Sequence, residues 1–175
     1  MSRKIILDRQ IVEDTWQLSE ADGAIPPDGD VIVALATWLA QREVLKTRKG
    51  RTGVWLGPGD EPGALAGDIA TLPLIAVHFP QFTDGRGYST ARLLRQRYGF
   101  NGQLRAIGDV LRDQLFLLQR VGFNAFSIKD GASIEDAIGA FKDFSTAYQS
   151  AVDQPAPTYR RRLAAGAGMI RAVEA

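Results

Sequence analysis

Five short apolar runs recur between residues 31 and 128, and each is followed by a stretch with helical character. The runs are Val31–Leu35, Gly53–Leu56, Leu74–Phe79, Leu104–Ile107 and Ala125–Ile128; the helical stretches span 36–48, 61–71, 88–98, 110–121 and 133–152. A strand buried on both faces reads as a continuous apolar run, and parallel strands need a crossover, usually a helix. Five such units in series predict an α/β domain with a mostly parallel sheet. An open, doubly wound sheet is the expected arrangement. A partial β/α barrel is the alternative, since both share this alternation and the same right-handed crossovers.

Ahead of the series, Lys4–Leu7 and Gln10–Leu18 read as two short strands around Asp8-Arg9, an N-terminal β-hairpin without an Asn-Gly turn signal. The segment SEADGAIPPDGD (19–30) reads as a loop. One domain is expected over 1–155. Residues 156–175, with two prolines just before or at their start and an Arg160–Arg162 run, are expected to form a C-terminal tail.

Several helix ends have a stated mechanism. In GDVLRDQLFLLQRVGF, Asp109 can cap the first amides, Leu111, Leu115 and Leu118 recur at i, i+4 and i+7, and Gly122 supplies a left-handed stop. Ser89 reads as the N-cap of the 88–98 helix. Ser133 with Asp136 resembles a capping box with Asp replacing Glu.

Composition removes whole classes of chemistry. There is no cysteine, hence no disulfide, thiolate nucleophile or Cys-ligated zinc or iron–sulfur cluster, and the single histidine is His78. If the chain moves electrons, it must borrow a cofactor held without cysteine or serve a partner that has one. A net charge of +1 gives no global reason to expect nucleic acid or an anionic membrane as partner. With no secretory pattern at the N-terminus and no apolar run near the roughly 20 residues that cross a bilayer, a cytoplasmic location is expected.

In α/β folds ligands collect beyond the carboxyl ends of the strands. Two segments there are dense in polar residues: PQFTDGRGYS (80–89) and GDVLRDQ (108–114). In the first, Gly85 and Gly87 let backbone approach a ligand, and the helix beginning near Tyr88 or Ser89 offers free N–H groups to an anion. Arg86 and Arg92 stand beside that terminus, and Arg86, Arg92, Arg95, Arg97 and Arg105 face one acid, Asp84, between residues 84 and 105. The candidate anion- or partner-binding residues are therefore Asp84, Gly85, Arg86, Gly87, Tyr88, Ser89, Arg92, Asp109, Arg112, Asp113 and Gln114. GRGYST also contains a degenerate dinucleotide fingerprint with Asp109 as its ribose-binding acid. Thr90 stands where the third glycine belongs, and five residues separate Phe79 from Gly85. No Gly-Lys-Ser/Thr follows either glycine-rich stretch, which argues against nucleotide hydrolysis. Asp84, Asp109 and Asp113 could serve as an acid/base or Mg²⁺ set if their loops meet. No resident cofactor is expected from these residues, with flavin or NAD(P) as the alternative. His78 reads as a packed residue, and Trp16, Trp38 and Trp55 as core or interface anchors.

The block FPQFTDGRGYSTARLLRQRYGFNGQLRAIGDVLRDQLFLLQRVGFNAF (79–126), with DVIVALATWLAQRE before it and FSTAYQSAVDQP after it, resembles a bacterial family catalogued as domain of unknown function 934. The similarity runs from about residue 3 to 162, and the matching motif positions include Asp84 to Ser89, Arg92, Gly108, Asp109 and Arg112 to Gln114. Members are sometimes labelled oxidoreductases and are typically encoded beside the haemoprotein subunit of assimilatory sulfite reductase. The resemblance thus implies an accessory or electron-delivery component of sulfite reduction, docking on that haemoprotein or a ferredoxin-like donor through the arginine-rich face. Two other readings stay open: an oxidoreductase with flavin or nicotinamide at the strand ends, and a binder of a small anion such as sulfite, sulfate or phosphate. A homo-oligomer is compatible with all three.

Overall fold

The computed structural model describes residues 3–20 and 23–164. Over these residues the chain is α/β, with one mostly parallel sheet of eight strands. These are β1 (Lys4–Leu7), β2 (Gln10–Glu13), β3 (Trp16–Leu18), β4 (Asp30–Ala34), β5 (Thr52–Leu56), β6 (Leu74–Phe79), β7 (Gln103–Gly108) and β8 (Ala125–Phe126). Their spatial order is β2-β1-β8-β7-β6-β5-β4-β3. Neighbours from β3 through β8 run parallel, while β1 is antiparallel to both β2 and β8.

This order corrects the doubly wound expectation. A doubly wound sheet reverses direction at a switch point, which sends its helices to both faces. Here β4 to β8 succeed one another without reversal. Crossovers that all progress one way and are all right-handed lie on one face. The sheet is singly wound and curls into a partial barrel.

The curl also follows from chain length. Flat, eight strands would hold β2 and β3 about 34 Å apart, at roughly 4.8 Å per neighbour. Yet only Asp14 and Thr15 separate the end of β2 from the start of β3. Three peptide links span at most about 11 Å, so the two edges must approach each other. The expected single strand Gln10–Leu18 is thus divided: its first half pairs with β1 and its second with β4, on opposite edges. The turn before it, Asp8-Arg9, has positive φ at both residues (48° and 63°) without a glycine. Neighbouring groups stabilise this strained turn: Asp8 N–H donates to Asn124 O (2.9 Å), and Arg9 Nη2 donates to Gln119 Oε1 (3.2 Å).

Alternation along the strands separates two cores. Val31, Val33, Val54, Leu56, Ile75, Val77, Leu104 and Ala106 point toward the helices, where they meet Trp38, Leu94, Leu115 and Leu118. Ile32, Leu74, Ala76 and Ile107 point to the concave side, with Trp16 and Trp55 packed against them. The concave side also encloses charge. Arg105 Nη1 lies 2.9 Å from Asp14 Oδ2, the two side chains being 3% and 5% exposed. Gln103, its amide turned to suit, accepts from Arg105 Nε (3.1 Å) and Nη2 (3.0 Å). Asp14 is therefore a plug at the point where the strand crosses between edges.

Two of the five expected helices keep their length and three are shorter than the sequence suggests. α1 (Leu35–Thr47) and α2 (Arg86–Gln96) are well developed, while α3 (Leu115–Arg120) and α4 (Ile134–Ala137) are brief. The helix expected at 61–71 is a 3-10 turn at Pro62–Leu65 followed by turns, as Gly63 and Gly67 would lead one to expect. This segment is held by Asp68, which accepts from Trp38 Nε1 (3.0 Å) and pairs with Lys46 (3.2 Å). The helix expected at 133–152 ends with a 3-10 turn at Ile138–Lys142; beyond it Phe144 packs on Phe116 and Arg120 holds Asp153 (3.2 Å) and Gln149 O. Ser133 does cap α4, accepting from Asp136 N–H (3.1 Å). The expected tail at 156–175 is helical over 158–164, where Thr158 is buried and its hydroxyl donates to Ala147 O (2.8 Å). Its remainder, from 165, lies outside the described residues.

Candidate functional site

The two polar loops do meet. Asp109 Oδ2 accepts from the Phe82 N–H (3.2 Å), and Gln114 Nε2 donates to the Phe82 carbonyl (3.2 Å). Gln114 is buried, and its Oε1 accepts from Leu111 N–H (2.9 Å), closing its own turn. Asp109 Oδ1 also pairs with Lys129 Nζ (2.8 Å), and this hydrogen-bonded ammonium holds the carboxyl below the usual carboxylate range. Both backbone groups of Phe82 are thus committed, while its ring stays 42% exposed. Asp109 does not cap a helix as expected; it ties 80–84 to 129 instead.

The start of α2 is filled by the chain's own anion. Asp84 Oδ1 accepts from Arg86 N–H (3.1 Å) and Nε (3.0 Å), and Oδ2 from Arg86 Nη2 (2.6 Å). Those bonds lower the Asp84 pKa and raise that of Arg86. The N-cap position is Gly85, with Asp84 just before it taking the Arg86 N–H, which corrects the assignment to Ser89; Ser89 is exposed within the helix. Gly85 has open space where a side chain would stand, whereas a Cβ on Gly87 would come within 2.5 Å of the Phe79 ring. Gly87 thus serves the packing of α2 on β6. Tyr88 lies edge-on to Phe79 at 5.7 Å, and burial, helped by the nearby Asp113 charge, raises its pKa.

The arginines do not converge. Arg92 donates to Gln96 along the helix (2.8 Å), and Arg112 turns away to Asp143 (2.9 Å). Arg95 donates to the carbonyls of Phe100, Gly102 and Gly122, bracing backbone. Arg105 is inside the barrel. With Asp84, Asp109, Asp113 and Asp130 among Arg86 and Lys129, the rim has mixed charge. Among the described residues no group of three or more His, Asp or Glu is placed to hold a metal ion.

A second feature opens on the concave side, at the same end of the strands. Trp55, His78 and Ile107 are the penultimate residues of β5, β6 and β7. With Leu18, Ser19 and Glu20 they line a cleft of about 320 Å³. Trp55 and His78 meet edge to face at 5.8 Å, and Trp55 Nε1 donates to Ser19 O (3.2 Å). Gly108, at φ +96°, passes directly over the imidazole: a Cβ there would lie 2.8 Å from Cδ2 and 3.0 Å from Nε2. His78 makes no side-chain hydrogen bond within the described residues, and burial depresses its pKa below 6.5. Sequence reasoning named His78 only as a packed residue and missed this cleft. The available signal was that all three stand last or next to last in successive apolar runs.

A family model described as "Bacterial protein of unknown function (DUF934)" matches residues 53–159. The chain belongs to that family. No curated protein matches it.

Proposed function

We propose that the chain, as a member of this family, is an accessory component of assimilatory sulfite reduction that docks on the reductase haemoprotein or on a ferredoxin-like electron donor. The genomic setting implied by the family resemblance supports the pathway, and a chain without cysteine fits a role beside a partner that holds the redox centre. The observation that carries docking is Phe82. Aromatic rings, phenylalanine included, are enriched in protein interfaces, and a group whose position is set before binding costs less to order; this ring stands on a backbone clamped from both sides by Asp109 and Gln114. Arg86 contributes charge beside it, but its bidentate bond to Asp84 leaves the aromatic ring as the leading contact.

The test is capture from sulfate-grown cells with the tagged full-length chain. Retention of the haemoprotein or a ferredoxin-like protein by the wild type, with at least a tenfold loss in Phe82→Ala, supports the reading. Equal retention by Phe82→Ala, or capture of neither protein, overturns it. No helix among the described residues is long and apolar enough to span a membrane.

A further inference from the structure

The cleft at the barrel mouth has a composition different from that of the rim. Its walls are apolar (Leu18, Ile107 and the indole of Trp55), and its ionisable groups are His78 and Glu20. Among the described residues no lysine or arginine lines it. At about 320 Å³ it falls at the lower end of the roughly 300–1,000 Å³ typical of small-molecule sites. Sites of that kind combine apolar walls with a few convergent polar groups, and the mouth of a β/α barrel at the carboxyl ends of its strands is where they recur.

The polar groups here favour one kind of ligand. Ser19 has its carbonyl bound to the Trp55 indole N–H, and its hydroxyl donates to the Glu20 carbonyl (3.1 Å). The ionisable side chains left among the lining residues are the His78 imidazole and the exposed Glu20 carboxylate. A neutral imidazole offers an acceptor nitrogen and a carboxylate offers only acceptors. A π-face beside them attracts positive charge. An anion would meet a carboxylate and an aromatic ring, with no cation among the described lining residues to receive it.

We propose that the barrel mouth binds a small organic amine, its apolar body against Trp55, Leu18 and Ile107 and its ammonium N–H groups donated to His78 and Glu20. The site is separate from the Phe82 rim, and the inference does not depend on the docking reading. Gly108 bounds the site: a Cβ there would meet the Phe79 carbonyl oxygen and, at 2.8 Å, the imidazole Cδ2.

Because His78 is the chain's single histidine, its ring resonances report on the cleft without assignment ambiguity. The experiment titrates the full chain, labelled at histidine, with phenethylamine, and in parallel with phenylacetate as the anion of similar shape. Expected are a saturable shift of the His78 ring signals with phenethylamine, none with phenylacetate, and an affinity at least tenfold weaker in Glu20→Gln. Glu20 is exposed, so this substitution leaves the fold intact. Absence of a saturable shift with phenethylamine, an equal response to phenylacetate, or unchanged affinity in Glu20→Gln overturns the proposal.

Discussion

The rim and the mouth stand at the same end of the same strands, divided by little more than Gly108, yet their polar groups have opposite fates. At the rim the groups that join the two loops have found partners within the chain: Asp84 with Arg86, Asp109 with Lys129 and Phe82, Gln114 with Leu111 and Phe82. At the mouth the imidazole of His78 is partly buried and has none among the described residues. Loop backbone must be satisfied by something, and short polar side chains are the nearest supply. Polar density along a sequence therefore marks a loop that holds itself together as readily as one that binds. An isolated titratable group at a strand end, among apolar neighbours, is the more selective sign.

The widest effect is expected beneath the mouth. Asp14→Ala leaves the Arg105 charge enclosed with only the Gln103 amide to receive it. Breaking one side of a buried pair costs about 3–5 kcal/mol, which denaturant unfolding would read as a lower midpoint. The double variant Asp14→Leu with Arg105→Met should recover most of that loss, because it removes both charges and restores apolar volume. If Asp14→Ala costs no more than about 1 kcal/mol, as exposed pairs do, the strand crossing is open to water and the barrel interior is not closed there.

Gln114→Ala should do less and do it at the rim alone. The Leu111 N–H loses its acceptor and the Phe82 carbonyl loses a donor that water can partly replace, for about 1–2 kcal/mol. Protease cleavage within 80–84 should accelerate while the His78 ring resonances stay in place. A shift of those resonances would show that the two regions are mechanically one, and the contrast drawn between them would fail.

The alternation of apolar runs with helical stretches made the α/β class and the central strands legible, since it reflects burial on both faces of the sheet. What the sequence did not disclose was winding. Doubly and singly wound sheets bury the same strands, and the deciding fact, that Gln10–Leu18 reaches both edges, concerns pairing partners far apart in the chain. The hairpin turn carried no glycine because Asn124 and Gln119 hold Asp8 and Arg9 in place. At the candidate site, the convergence of 80–89 with 108–114 was posed but not decidable, because it hangs on which way Asp109 and Gln114 point. The mouth was hidden for another reason: Trp55, His78 and Ile107 lie on three strands, and only the parallel register sets them side by side.

The smallest expected effect is also the one that isolates the mouth. Burial holds the His78 pKa below 6.5 in the folded chain, so the unfolded chain binds more protons wherever the two states differ. Stability then rises with pH across that interval: it is fully present above about pH 6.5, the unfolded value, and declines as pH falls through the folded value. The carboxylates held low by hydrogen bonds and cationic partners (for Asp68 the Trp38 indole first, then Lys46), Asp30, Asp68, Asp84 and Asp109, work in the same direction but only near and below about pH 4. The melting temperature should therefore fall as pH drops below about 6.5, and His78→Asn should flatten that slope while leaving the steeper acid limb unchanged. Arg86, paired at the rim, stays charged throughout, so Arg86→Gln should leave the slope as it is. A slope that survives His78→Asn would mean that the imidazole is as well solvated as the rim groups, and the distinction between mouth and rim would no longer stand.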